Sequence, residues 1–556
     1  MIRRATGYPL VSKFSHNPVL RLELNQTWQS PSMPMALATV TITMALLLLA
    51  IGTWMGKTAW AAGAGGALMQ VCFSLAFYLV ATVGAVASST AFAGERSSRA
   101  WELVTLTRLS SEQVVFGKFL AALAIPVSFA VILAPVAMLA YLFGGISLAE
   151  ILVGWIWLAG FCIMFTALGL AVGSVFASPG AAVLTCLLSA AALSVGIHVG
   201  GGLLMSVAAH QIWPAVTPGL PIWLPTALLS APIGFSSIVL LVLLPTLSLL
   251  LASWFLYEIA LANARSVTDD RSTRLRRWLL ISLPVFGLVL SLACVALPSS
   301  PRWAFSTSIW TIEGLSTFVV LVSIGEPFGP SRRVRLSWER AGKGPWARRL
   351  GPGLMAAMTS VLLAGEAALV LITAFALVSL LSRHDISHRV DLIRIAIHAG
   401  YAIGLLVFVV GAAAALRSFS RSAKMPRLLL LGCLLAAAVG PWAAYRAGVM
   451  AAPSGFRAIL LSSPSPLFAA YLGFAVAHFV SLPVAEMWSA GISISLWLLS
   501  GIALLVVARR RCRQALEQHH WALKELEQEL EVPAVPGESV PALAEKVDPR
   551  GASSPS

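Results

Sequence analysis

Long apolar runs separated by short polar segments set the pattern of this chain. A helix crossing ~30 Å of hydrocarbon needs about 20 apolar residues at ~1.5 Å each. Twelve runs are that long. Six lie in the first half, at residues 35–56, 67–90, 119–143, 151–176, 181–208 and 236–262. Six lie in the second, at 278–297, 306–324, 354–381, 395–416, 428–444 and 488–508. Two further apolar stretches fail as spans. Residues 212–233 carry Pro214, Pro218, Pro221, Pro225 and Pro232, and residues 451–486 carry Pro453, Pro464, Pro466 and Pro483. Proline removes a helix hydrogen bond and clashes with the preceding turn. Each stretch therefore reads as a re-entrant hairpin on the outer face, its broken backbone covered by other helices. The first long run begins far from the start and lacks a cleavage pattern, so no signal peptide is expected.

The two halves share one plan: two spans, a long polar loop, three spans, a proline-broken hairpin and a closing span. The long loops, residues 94–118 and 325–353, both begin Gly-Glu, at Gly94-Glu95 and Gly325-Glu326. The implied organisation is an amphipathic N-terminal segment (1–34), a first six-span half (35–262) and a basic linker (263–277). A second six-span half (278–508), a helical tail (509–531) and a disordered tail (532–556) complete it. The helical tail is read from Leu516, Leu523 and Leu530 at heptad spacing, ahead of a Pro- and Ser-rich end.

Composition turns this pattern into a class. Hydrophobic residues make up 58% and charged residues 11%, against roughly a quarter charged in soluble domains. The expected fold is an all-α polytopic membrane protein with about 12 transmembrane helices. The formal charge of +15 raises nucleic acid as a partner, but its distribution removes the need. With alternating spans and a cytoplasmic N-terminus, 31 of the 38 Lys and Arg fall inside. That bias follows the positive-inside rule and implies a multi-pass plasma-membrane protein with both termini cytoplasmic. Five of the six cysteines (Cys72, Cys162, Cys186, Cys294 and Cys433) lie in apolar runs, where thiols act as small hydrophobes.

Enzyme chemistry has little to rest on. Gly56-Lys57-Thr58 lacks the earlier glycine of a phosphate-binding loop, because Ile51 occupies that position. The sequence contains no H-E-x-x-H, paired C-x-x-C or G-x-S-x-G motif, and the His519-His520 pair lacks metal-site spacing. The outer loops have too few acidic residues for a glycosyltransferase. The chain is expected to bind no cofactor of its own.

The loop 94–118, GERSSRAWELVTLTRLSSEQVVFGK, keeps Trp101, Val104, Leu106 and Leu109 at helical spacing among seven charges. That is the pattern of a short amphipathic helix lying on an interface or a partner. Trp101 also suits a plain interfacial anchor. Ser110 and Gln113 form a capping-box signature for the span that follows. A charged loop held rigidly by two spans can pass a push into the membrane.

These residues resemble the segment after the second span in permeases of the ABC type-2 exporter family. The matching positions are Glu95-Arg96, Arg99, Trp101-Glu102-Leu103, Thr107-Arg108-Leu109-Ser110 and Gly117-Lys118. The stretch Asn17-Pro18-Val19-Leu20-Arg21-Leu22-Glu23 is similar to that family's amphipathic leading helix, with Leu20, Leu24 and Trp28 on one face. The likeness covers roughly residues 16–120. Arg108 stands where proline is common, and the second half lacks the Trp-Glu-Leu stretch. The resemblance implies an exporter permease moving its substrate outward by alternating access. A separate ABC ATP-binding subunit would carry ATP and Mg and dock on 94–118, helped by 332–349. The chain would be either the whole path or one subunit of a homo- or hetero-dimer in the lipid bilayer.

Glu313 and Glu366 fall within spans, where carboxylates are costly and often functional. They are read either as a proton relay or as neutral or hydrogen-bonded interior groups. A relay would make the chain a proton-coupled secondary transporter, and a non-transporting scaffold is a third reading. His198 and His398 are expected to be satisfied interior histidines.

Overall fold

The computed structural model describes residues 17–55, 64–97, 109–142, 144–202, 212–213, 231–266, 268–297, 301–381, 388–420, 422–451, 464–466 and 484–531. Among these, every regular element is helical. The first half holds α1 (Pro18–Gln29), α2 (Ser32–Met55), α3 (Ala64–Ser97), α4 (Ser111–Leu142), α5 (Leu148–Gly173), α6 (Pro179–Gly201) and α7 (Phe235–Ala264). The second holds α8 (Thr273–Ala296), α9 (Pro301–Ser323), α10 (Arg332–Arg340), α11 (Pro345–Arg349), α12 (Leu354–Leu381), α13 (His388–Phe419), α14 (Lys424–Ala451) and α15 (Val484–Glu531).

Eleven of these helices are long and apolar enough to cross a membrane, and α2 makes up to twelve when joined to α1 across a 62° bend. They fall one to one on the apolar runs of the sequence. The chain is therefore a polytopic all-α membrane protein. Within each helix the backbone satisfies itself, as lipid requires. Most of residues 212–233 and 451–486, and all of 532–556, lie outside the described residues, and with them the hairpins and the disordered tail.

The same helix pairings recur in both halves. In the first, α3 packs on α4 and α5, α4 on α5, and α5 on α6 and α7. In the second, α9 packs on α12 and α13, α12 on α13, and α13 on α14 and α15. These are the same pairs in span order. The packing of α3 on α6 is closer than that of its counterparts α9 and α14, which meet through Arg427 on the Leu321 carbonyl at 3.0 Å. Small residues let the central helices approach. A Cβ on Gly173 of α5 would lie 2.2 Å from the Ser89 carbonyl oxygen of α3, and one on Gly501 of α15 would lie 2.6 Å from the Phe408 amide of α13. Without a hydrophobic drive between helices in lipid, such close packing supplies the association.

Two irregularities sit beside the proline-rich segment of the first half. Residues Gly196–Gly201 of α6 and Ile238–Leu243 of α7 form π-helical turns, which are frequent at functional positions. At the chain's other end, the last span and the tail form one continuous helix of 48 residues, about 72 Å long. The tail read from its leucines is thus an extension of the span. The exposed Arg509, Arg510 and Arg511 mark where the helix leaves the apolar layer.

Candidate functional site: the basic end of the bundle

The helix ends that carry the basic residues meet at one end of the bundle, and the Asn17–Glu23 and Gly117-Lys118 motifs join there. Asn17 caps α1, its Oδ1 accepting from the Val19 and Leu20 amides at 3.0 and 3.4 Å, while Pro18 supplies the preset first helical residue. The same side chain donates from Nδ2 to the Gln113 carbonyl at 2.8 Å. One asparagine therefore starts α1 and pins it to α4.

On α4 the expected capping box is present. The Ser110 amide donates to Gln113 Oε1 at 3.0 Å, and the Gln113 amide donates to Ser110 Oγ at 3.3 Å. Helix α4 has 32 residues, ~48 Å, about 18 Å more than the hydrocarbon layer. Its first turns can thus stand in the headgroup region. Gly117 is the contact point with α1: a Cβ there would lie 3.0 Å from both Asn17 Oδ1 and Val19 Cβ.

Lys118, one residue on, is 1% exposed, and its Nζ donates to Glu23 Oε1 at 2.6 Å. A second bond reaches the Ala91 carbonyl near the end of α3 at 3.0 Å, and the ammonium lies 5.7 Å from the Phe92 ring centre. A buried lysine needs a paired charge and hydrogen bonds, and here the two come from different helices. Lys118 thereby ties α1, α3 and α4 together. Leu20 and Leu24 are half-buried on the packed side of α1, but Trp28, expected on that face, is 48% exposed.

A second knot lies at the same end of the other half. Arg276, on the first turn of α8, donates to the Gly351 and Gly353 carbonyls just before α12, the latter at 2.8 Å. Its carboxylate partner is Glu326, just after α9, at 3.4 Å, and Ser272 Oγ also donates to Glu326 at 2.7 Å. The first knot joins the segment ahead of the first span, the end of the second span and the head of the third, with the cation on the third. The second joins the first span of its half, the residues after the second span and those before the third, with the cation on the first.

A third set of pairs bridges the halves. Glu112, on the first turn of α4, receives Arg265 at 3.2 Å and Arg274 at 2.5 Å, both from the linker region. Arg274 also lies 4.0 Å from Glu258 of α7. Downstream, Arg333 of α10 pairs with Asp269 at 3.1 Å. Trp338 of α10 lies against Gly351, where a Cβ would meet its ring at 2.0 Å. These contacts fix α10 to the linker and to the turn ahead of α12.

Of the residues that carry the family resemblance, Asn17, Pro18, Glu23, Gly117 and Lys118 come together here. Leu109 is half-buried just ahead of α4. Glu95 and Arg96 lie in the last turn of α3. Arg99, Trp101, Glu102 and Leu103 lie outside the described residues. Sequence reading missed Glu112, Arg274, Arg276 and Glu326 as paired groups. Their only signal was charge beside a helix end.

The intramembrane carboxylates lie elsewhere, where α9, α12 and α13 meet. Glu313 of α9 is 3% exposed, and neither carboxylate oxygen has a hydrogen-bond partner among the described residues. Glu366 Oε1 of α12 and His398 Nδ1 of α13 are likewise buried without partners. Glu313 is thus not hydrogen-bonded and His398 is unsatisfied at Nδ1 among the described residues, which leaves the neutral form as the interior reading of the carboxylate. Trp310 and His398 approach to 6.4 Å between ring centres. His198 stacks on Tyr78 at 5.4 Å.

No family model and no curated protein matches the chain.

Proposed function

We propose that the chain is the membrane permease of an ATP-binding-cassette exporter, with its basic end in the cytoplasm of the cell and its energy supplied by a separate ATPase subunit. The observation that supports this best is the Lys118–Glu23–Ala91 knot. It closes a rigid frame around the two ends of the loop 94–118. A loop held by a rigid frame passes displacement to the spans instead of absorbing it. The exposed charged side of α10 and α11 offers a second contact in the other half, and the pairs from Glu112 to Arg265 and Arg274 link the two.

The mechanism that follows is alternating access. The ATPase pair, closing on ATP, pushes the two frames together and changes the relative tilt of the halves. Such a shift requires the ATPase to bind the two permease states with different affinity. The roles divide accordingly. Glu95, Arg96, Arg99, Trp101, Glu102 and Leu103 face the partner, whereas Asn17, Glu23, Gly117 and Lys118 hold the frame. The test is a variant in a reconstituted complex. Glu102→Ala should uncouple ATP hydrolysis from transport with expression unchanged, and normal coupling would remove the loop from the interface.

A second reading draws support from Glu313. A buried carboxylate with both oxygens unpartnered, beside Glu366 and His398, is the kind of group that carries protons through membranes. A proton-coupled transporter would lose all transport in Glu313→Gln. The exporter permease would keep it.

A further inference from the structure

A cavity of about 1160 Å³ opens where the two halves meet at the basic end. One side is apolar, formed by Phe255 and Ile259 of α7, Leu279 of α8 and Val319 of α9. The other is charged, with the carboxylates Asp269 and Glu326 facing five arginines that include Arg335, Arg417 and Arg427. Both carboxylates are already engaged, Asp269 by Arg333 at 3.1 Å and Glu326 by Arg276 at 3.4 Å.

Arg335, Arg417 and Arg427 have no carboxylate partner among the described residues. Arg417 donates from Nε to the Ile324 carbonyl at 3.1 Å and from Nη1 to that of Ser420 at 2.6 Å. Arg427 donates from Nε to the Leu321 carbonyl at 3.0 Å and from Nη2 to that of Val322 at 3.3 Å. Each arginine keeps one terminal nitrogen for a ligand. The bonds at the end of α9 satisfy its open carbonyls and leave the positive charges unneutralised. Arg335 Nε is buried with no hydrogen-bond partner. A buried donor left unmade is costly, and three cations around one cavity raise each other's cost. An anion offering several acceptor oxygens removes both penalties. Guanidinium forks suit phosphate in particular. A small soluble anion would gain nothing from the apolar side, whereas a lipid would fill it.

We propose that this cavity binds a membrane phospholipid, its phosphate held by Arg335, Arg417 and Arg427 and its acyl chains lying along Phe255, Ile259, Leu279 and Val319. The site stands apart from the ATPase reading, because it needs no partner chain.

Thermal unfolding of the purified full chain in uncharged detergent tests it, titrated separately with phosphatidylglycerol, diacylglycerol and inorganic phosphate. Phosphatidylglycerol should raise the midpoint and the other two should not, since a ligand bound only by the folded form stabilises it by mass action. Arg335→Gln should need at least tenfold more phosphatidylglycerol for the same rise. Arg510→Gln, the same charge change at an exposed position on α15, should titrate like the wild type. Equal titration of the two variants would overturn the site in favour of general surface charge. A full rise with inorganic phosphate alone would overturn the lipid as occupant. Should Arg335→Gln fail to fold, Arg335→Lys keeps the charge but loses the fork. It should bind several-fold more weakly, and unchanged binding would overturn the role of the guanidinium.

Discussion

The Lys118–Glu23 pair predicts an asymmetry between its two partners. Lys118 is 1% exposed, whereas the Glu23 side chain keeps 25% of its surface. Removing the carboxylate in Glu23→Gln takes from a buried ammonium its partner at 2.6 Å, while the bond to the Ala91 carbonyl at 3.0 Å stays. Breaking a buried pair from one side in this way costs about 3–5 kcal/mol. Removing the ammonium in Lys118→Met leaves Glu23 free to turn towards water. The loss is then nearer that of an ordinary charged hydrogen bond, about 1.5–3 kcal/mol. The double variant removes both charges and should recover part of the Glu23→Gln loss, giving a coupling energy of about 1–3 kcal/mol. Equilibrium unfolding of the purified chain in mixed micelles, with all four members of the cycle, measures these terms. Equal and additive losses would refute the knot, because they would mean that the two groups do not share an environment.

Other substitutions probe the remaining joints. Gly117→Val forces a side chain against Asn17 and Val19, where even a Cβ lies at 3.0 Å. It should free α1 and cost about 1–3 kcal/mol, read as faster proteolysis of the N-terminal segment. Asn17→Ala removes the cap of α1 and its bond to Gln113, with a loss of about 1–2 kcal/mol in the same unfolding assay. Arg276→Met should resemble Glu23→Gln in reverse. It leaves Glu326 to Ser272 alone, and the double variant Arg276→Met/Glu326→Gln should be more stable than Arg276→Met. Gly173→Leu drives a side chain into the Ser89 carbonyl and should abolish assembly of the first half, seen as loss of the folded peak in size-exclusion chromatography.

The spans were legible because crossing a membrane imposes length and apolarity together, and no other element satisfies both. The capping box at Ser110 and Gln113 and the start of α1 at Asn17-Pro18 were legible for a local reason: a helix start needs specific residues at fixed spacing. The joining of Glu23 to Lys118 was not. The partners lie 95 residues apart, and nothing local selects one buried cation from 38. The pair Arg276 with Glu326 escaped because it does not occupy the positions of Lys118 and Glu23: its carboxylate follows the second span, where Glu95 stands in the first half. The exposure of Trp28 was not legible either, since helical spacing shows which side chains share a face but not how far a neighbour extends along it. The unpartnered oxygens of Glu313 depend on what three separate helices bring to one point, which no single run of sequence records.

Transport in sealed vesicles tests the central claim most directly. Vesicles are made with the chain alone and with the chain plus an ATP-binding-cassette subunit from the same genome. The chain alone should hydrolyse no ATP and accumulate no solute under an imposed proton gradient, and the pair should do both when ATP is supplied. Uphill accumulation by the chain alone would contradict the account.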